Sequence, residues 1–337
     1  MTLPPATAAS ADRPVAIDPP RAAVSALSQT GYISFGGVDA ASFLQGQLSN
    51  DVAALGDGAA QWTSYNSPKG RMLATMLLWR ASETSFHAFV AADLAATLRK
   101  RLAMFVMRAK VVVTDHTSDG RCFGVSGAAA RHAVRSALGA APEAGHGVMH
   151  DGADIVTTPD GRVLIHVPIA MADATGQRLA AQANLVAATH WDWHAIAAGI
   201  ATVVAATQDL FIPQAANWDL VGGVNFKKGC YPGQEIVARM HYLGKLKERS
   251  FRLHHDGAPP SPGAPLYSTV FGDQACGTVI NAAPAPGGGS DLLAVVQTQA
   301  AAESTLHLGA PDGPRLTLLD LPYGIPAQVA PSRPKLA

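Results

Sequence analysis

The residues best suited to chemistry lie in the run Lys227-Lys228-Gly229-Cys230-Tyr231-Pro232-Gly233-Gln234-Glu235, followed by Ile236, Val237 and Met240 at helical spacing. This pattern puts a thiol in a turn just ahead of a helix. Two lysines and the positive end of the helix dipole favour thiolate over thiol, so Cys230 is expected to ionise more readily than a free cysteine. Gly229 and Gly233 allow close backbone approach, and Pro232 suits a first helical turn. The same residues also fit a buried cysteine in an ordinary glycine turn, the commoner fate of the residue. The paired lysines tip the reading toward a reactive thiol.

Other signals are weaker. His190 and His194 stand four apart on an expected helix, but Trp191-Asp192-Trp193 between them lacks the Glu of a His-Glu-x-x-His zinc site, so no metal is expected. From Lys227 to Arg252 the chain carries Lys227, Lys228, Arg239, Lys245, Lys247, Arg249 and Arg252 against Glu235 and Glu248. Such a stretch could attract an anionic ligand, an acidic partner or RNA phosphate, or could simply form a solvated basic face. The solvated face is favoured, because the whole chain is neutral and carries no RNA-binding motif. There is no phosphate-cradling Gly-x-x-x-x-Gly-Lys-Ser/Thr loop, so nucleotide hydrolysis has no support.

The elements that must hold these residues come from 337 residues, enough for two or three domains. With 48% hydrophobic and 15% charged residues, and 25 Lys+Arg balancing 25 Asp+Glu, the chain is neither a disordered tail nor a highly charged nucleic-acid coat protein. The weakly charged stretch from Ala195 to Thr207 is interrupted by Gly199 and falls short of the about 20 apolar residues a membrane span needs. No membrane association is expected. Cys122, Cys230 and Cys276 are too few and too scattered for a disulfide framework or a Cys-x-x-Cys metal site, which fits a reducing cytoplasm. The Ala- and Pro-rich start has neither the basic end nor the apolar core of a signal peptide, and Asp12 and Asp18 argue against a transit peptide. Residues 1–24 are read as a disordered arm, and the protein as cytoplasmic and monomeric.

A short apolar segment Tyr32 to Phe35 precedes Asp39, a helix N-cap by type, and a helix through Phe43, Leu44 and Leu48. Strand-like runs Gln61 to Tyr65 and Arg71 to Trp79 flank the turn Asn66-Ser67-Pro68-Lys69-Gly70, and Ser85 to Val90 adds a third. Leu94, Leu98, Leu102 and Phe105 predict a helix, and Val111 to Val113 a strand. A second mixed unit contains a strand at Cys122 to Val125, an Ala-rich helix after Ser126, and strands Asp154 to Thr157 and Val163 to Val167. A helix from about His190 to Gly199 leads into the irregular segment from Asp209 to Tyr231. Short β runs such as Gly277 to Ile280 and Leu292 to Val296 then predict a small all-β unit, with Gly287-Gly288-Gly289 at a hairpin tip. The fold class is α+β.

The run from Phe226 to Arg239 resembles the hallmark of the YgfZ family, folate-binding proteins related to the glycine-cleavage aminomethyltransferase. Phe43-Leu-Gln-Gly-Gln-Leu-Ser-Asn-Asp-Val52 is similar to that family's N-terminal block, and Pro68-Lys-Gly-Arg71 to its second. Phe211-Ile-Pro-Gln-Ala-Ala-Asn217 with Gly222-Gly223-Val224 resembles the approach to the cysteine motif. The likeness runs in order from about residue 30 to 325. It implies an aminomethyltransferase-like three-domain cloverleaf around a central channel for tetrahydrofolate. Its domains would be an N-terminal folate-binding domain over 25–118 completed by 190–245, a second α+β domain over 119–189, and a C-terminal β-barrel over 246–330. It also implies assistance in assembly or repair of iron-sulfur clusters in selected enzymes, including a radical enzyme that thiomethylates tRNA.

A pterin needs a carboxylate or amide facing its ring nitrogens, apolar or aromatic walls, and cations for the glutamate tail. The resemblance offers Asn50 and Asp51 for the first and Lys69 and Arg71 for the last. Without it, Asn50-Asp51 reads equally as a turn-forming pair, and Lys69 with Arg71 as a solvated hairpin tip. The chain departs from the transferase in Gly161-Arg-Val-Leu-Ile-His-Val-Pro168, where that enzyme has an acid. It also has Pro232 in place of the family's common Thr, and Asn66-Ser67 where some relatives have an acid. The leading expectation is therefore a folate-binding accessory protein with a reactive or redox Cys230 and no established turnover. The alternatives are a folate-dependent aminomethyl or one-carbon transferase, and a thiol hydrolase with His241 as base.

Overall fold

A four-residue strand, β1 (Ala23–Ala26), opens the described chain and is followed after three residues by β2 (Thr30–Gly36). The structure, a computed structural model, describes residues 22–326 apart from 243, 245 and 304. After β2 come α1 (Ala40–Gln45), β3 (Ala60–Asn66), β4 (Met72–Ser82), β5 (Ser85–Ala91), α2 (Ala92–Val106) and β6 (Val112–Asp115). Strands β2 to β6 form one antiparallel sheet in the order β3-β4-β5-β2-β6. Leu94, Leu98 and Leu102 of α2 are buried, as their spacing requires. Asp39 does not cap α1 with its side chain. Its carboxylate instead accepts the Lys110 backbone N–H at 2.7 Å and ties the helix start to the strand beyond α2.

The second lobe contains β7 (Gly120–Ser126), α3 (Ala130–Leu138), β8 (His146–His150), β9 (Ala153–Thr157), β10 (Val163–Pro168), α4 (Ala172–Ala180) and β11 (Asn184–Leu185). Its sheet runs β11-β1-β7-β10-β9-β8, so β1 is an inner strand, antiparallel to β7 and parallel to β11. This corrects the arm expected over 1–24. Residues 1–21 lie outside the described residues, but Ala22, Ala23 and Val24 are buried in the second lobe. Small side chains after a Pro-rich stretch carry almost no strand signal, whereas hydrogen bonding on both edges fixes the segment.

The two sheets meet over a buried polar cluster. The Tyr32 hydroxyl donates to Asp154 Oδ2 at 2.8 Å, receives the Trp79 indole N–H at 3.2 Å, and lies 2.7 Å from His87 Nδ1. The His166 ring stacks on Tyr32 with centroids 4.0 Å apart. Burial raises the Asp154 pKa, but hydrogen bonds from His166, His87 and Tyr32 outweigh it and hold the carboxyl well below its ordinary range.

Helix α5 (Ala188–Ala197) packs against β1, β7 and two strands of the third lobe. An irregular segment follows, then α6 (Gln234–Tyr242) and β12 (Glu248–His255), β13 (Pro265–Ser268), β14 (Gly277–Pro284), β15 (Ser290–Gln297), α7 (Thr298–Glu303), β16 (Leu306–Leu308) and β17 (Arg315–Leu319). The six strands close into a barrel in the order β12-β15-β14-β13-β16-β17, and Gly287-Gly288-Gly289 falls between β14 and β15. On β15, Leu292, Ala294 and Val296 fill the barrel while Leu293 and Val295 join the main core with α5. Burial on both faces explains the unbroken apolar run. The architecture is the expected α+β arrangement with a C-terminal barrel. No helix among the described residues is long and apolar enough to cross a membrane.

Candidate functional site

Lys228, not the cysteine, is the hub of the motif. It is 7% exposed, and its ammonium donates to the carbonyl oxygens of Gln45 at 2.6 Å, Leu48 at 2.5 Å and Asn50 at 3.0 Å. These carbonyls lie at and beyond the end of α1, where a cation satisfies groups a helix leaves unpaired. Burial pushes the lysine down to about 8, against the pull of Asp51. Tyr231 is buried with its ring 5.1 Å from the ammonium, and burial pushes its hydroxyl up to about 12. Gln234 donates to the Lys228 carbonyl at 3.2 Å, closing the turn.

The hairpin between β3 and β4 joins the same assembly. Gly70 and Gly233 both have positive φ, +71° and +76°, and meet backbone to backbone. A Cβ on Gly233 would lie 2.4 Å from the Ser67 carbonyl oxygen and 2.5 Å from Gly70 Cα. Only glycine fits there. Three sequence blocks, around residues 45–51, 66–71 and 227–235, thus close on one another. Cys230 and Gly229 stand exposed on this platform, with Lys227 and Glu235 exposed as well. The thiol lies before the first residue of α6, and Lys228 serves the carbonyls, so the two lysines expected to flank the thiol do not act on it as a pair.

The other expected ligand groups are largely occupied by the protein. The Asn50 amide donates to the carbonyls of Trp62 at 2.8 Å and Gly222 at 2.7 Å, and its oxygen accepts the Asp51 N–H at 2.9 Å. Asp51 Oδ1 accepts Gln45 Nε2 at 3.1 Å and the Ala54 N–H at 3.2 Å. Lys69 is exposed at the hairpin tip, and the exposed Arg71 donates to the Leu210 carbonyl. The basic stretch is not one solvated face. Lys228 is buried, Arg249 pairs with Asp219 at 2.7 Å and Arg252 with Asp291 at 2.7 Å, while Lys245 lies outside the described residues. His241 stacks on Phe226 with centroids 3.7 Å apart. His190 and His194 touch at 3.2 Å beside Trp193.

Two neighbouring pockets open between the lobes. One, about 70 Å³, is lined by Trp62, Phe89, Arg162, Trp191 and Trp218 among others. The second, about 450 Å³, shares Trp191 and Ile200 as wall residues and adds Gln29, Asp192 and Asn281 of β14. Asn50, Asp51, Lys69, Arg71 and Cys230 line neither. Arg162 is 6% exposed and lies 4.4 Å over the Trp191 ring, with Nε 2.6 Å from Asp160 Oδ2. Its Nη1 and the Trp218 indole nitrogen are buried without a partner. Burial pushes the Asp192 carboxyl up, against the Gln29 hydrogen bond and the Arg162 charge. Sequence reading missed this site because its aromatic residues come from four distant segments with no shared spacing; the Trp191-Asp192 pair was its only local trace.

Two lobes of sheet and helix and a barrel around a shared cavity define an aminomethyltransferase-like fold. The structure superposes on the glycine cleavage system aminomethyltransferase T from Bartonella henselae with a TM-score of 0.73, covering 90% of this chain and 86% of that one at 18% identity. Residues 20–148 match the GCVT N-terminal domain family. The chain is 30% identical over 308 residues to the tRNA-modifying protein YgfZ of Sodalis glossinidius, covering 89% of this chain and 92% of that protein. It is 28% identical over 304 residues to the protein of that name from Enterobacter sp. strain 638, with coverage of 89% and 92%. The chain belongs to the YgfZ family.

Proposed function

We propose that the protein is a cytoplasmic, tetrahydrofolate-binding accessory factor in the assembly or repair of iron-sulfur clusters, with Cys230 as its reactive or redox thiol. Its link to tRNA, suggested by the name of its relatives, is then indirect, through a cluster-containing enzyme that modifies tRNA. The observation that carries the folate part is the cavity between the lobes. The pocket of about 450 Å³ has Trp191 as its aromatic wall and Gln29, Asp192 and Asn281 as polar groups, and beside it Arg162 and Trp218 carry buried donors without protein partners, a setting that suits a flat, polar-edged ring. Trp191, with Gln29 and Asn281, would hold the folate, and the lobes around it would exclude water. Cys230, outside that cavity and exposed, would meet a protein or sulfur species rather than the ring. Transfer chemistry is not favoured, because the acid nearest the glycine turn of the second lobe, Asp160, is held by Arg162.

Calorimetry with tetrahydrofolate tests the first part, and saturable binding is expected. With an aminomethyl donor added, no methylene-tetrahydrofolate should accumulate; steady catalytic formation would instead establish a transferase. In a strain lacking the protein, iron-sulfur enzyme activities should fall and be restored by the intact gene. Unchanged activities would remove the accessory role.

A further inference from the structure

The last turn of α2 and the link to β6 carry large apolar side chains that the fold does not bury. Met107 is 88% exposed, and Met104, Phe105 and Val112 are exposed on either side of it in the chain. Val38, also exposed, joins them, because Asp39 beside it accepts the Lys110 N–H on its carboxylate and donates its own N–H to the Lys110 carbonyl. Exposed apolar residues standing singly are ordinary, whereas a group gathered at one corner of a lobe is the mark of an interaction surface. Nor does the helix end call for a methionine. Met107 follows α2 at φ +42°, a backbone conformation that favours glycine, and glycine would end the helix there without strain. A long apolar side chain in that place serves contact with something outside the chain.

The rim of this corner is basic. Between Leu94 and Thr114 the chain has Arg99, Lys100, Arg101, Arg108 and Lys110 and no acid. Arg101 lies over the Tyr65 ring with its Nε buried, while the other four are exposed. Two acids border them: Asp39, tied to Lys110, and Glu83, next to the Thr84 carbonyl that accepts the Gly37 N–H. A second copy of the chain would set these cations against their own kind, so the charge disfavours self-association here. β6 is the edge strand of its sheet, but Arg99 donates to its Val113 carbonyl at 3.4 Å, so contact falls to side chains rather than to an added strand. We propose that this corner docks an acidic protein segment that carries apolar anchors. The flexible methionines shape themselves to the anchors, and Lys100, Arg108 and Lys110 meet the acids around them. That the partner is an iron-sulfur client or assembly protein rests on the accessory reading above, whereas the docking itself does not.

A labelled amphipathic peptide with Leu and Phe on one face and Glu on the other tests the docking, by fluorescence anisotropy with the full chain. It should bind saturably and lose affinity with rising salt, while the same peptide with Lys for Glu, or with Ser for Leu and Phe, should not bind. Met107→Gly, which suits the backbone, and Arg108→Glu should each weaken binding by about tenfold. Met149→Ser, at an exposed methionine of β8, should leave it unchanged. Thermal melts establish that each variant is folded. No binding of the acidic peptide, or equal binding by wild type and Met107→Gly, would overturn the proposal. A preference for phosphatidylglycerol vesicles or for a tRNA transcript over the peptide would also overturn it, and would make the corner a membrane or an RNA surface instead. In a strain lacking the protein, the double variant Met107→Gly, Arg108→Glu should fail to restore iron-sulfur enzyme activities while still binding tetrahydrofolate; full restoration counts against the docking. Activities that never fall in that strain would overturn the accessory reading and leave the docking standing on the peptide result.

Discussion

Lys228 and Cys230 sit two residues apart and do opposite things. The lysine is buried and holds three carbonyls, a task that loses its hydrogen-bond energy if the side chain is shortened. The cysteine is exposed on a turn that the lysine anchors. From sequence, both lysines looked like attendants of the thiol, because charge near a cysteine is legible while the direction of a long side chain is not. Alkylation at neutral pH should label Cys230 well before Cys122, which burial pushes up to about 12, and Cys276, which burial also pushes up. Mass spectrometry of partially labelled protein checks this order. Cys230→Ala should change stability by less than about 0.5 kcal/mol, as for other exposed positions, while reducing complementation of a deletion strain. Full complementation would remove the thiol from the function.

At the level of elements, the motif is a docking joint between a turn and a hairpin. Gly233→Ala should destabilise the protein by about 1–3 kcal/mol, because the new methyl group meets backbone atoms and φ is positive. Denaturant unfolding measures that loss, and faster proteolysis between β4 and α6 would place it at the joint. Strands β3, β4 and β5 and helix α2 were legible, since alternation, turn residues and the Leu94-Leu98-Leu102 stripe are local signals. The joint was legible only as three separate blocks. What unites them is contact between glycine backbones and one lysine's reach to carbonyls some 180 positions away in sequence. No periodicity records either, and the same holds for the cavity, whose walls come from strands, a helix and loops of different lobes.

At the scale of the whole molecule, the polar cluster between the two sheets joins them and carries groups that respond to acid. His116 is held below its ordinary value of 6.5 by burial, then by His166 and His87, with Asp119 and Asp115 pulling the other way. It also bonds Ser34 Oγ at 2.8 Å and lies near the Tyr32 ring. In the unfolded chain it takes up a proton near 6.5, while in the folded protein uptake waits for lower pH. The unfolded state therefore binds more protons in that window, and stability falls as pH drops below about 6.5. Asp154 acts further down, since its depressed value makes its contribution present above the ordinary carboxylate range and lost only in stronger acid. The melting temperature should drop between pH 7 and pH 5.5, and His116→Gln should flatten that slope; identical slopes would exclude His116 as the group responsible.

The strand order has a consequence for how the chain is assembled during synthesis. β1 leaves the ribosome roughly a hundred residues before its partner β7, while β2 to β6 have all they need to pair at once. The first sheet can thus be finished with β1 held beside it on a tether of Leu27, Ser28 and Gln29. The sheet of the second lobe is thus completed on a strand that a three-residue link already joins to the first, and pairing of β7 and β11 with β1 is what couples the two lobes.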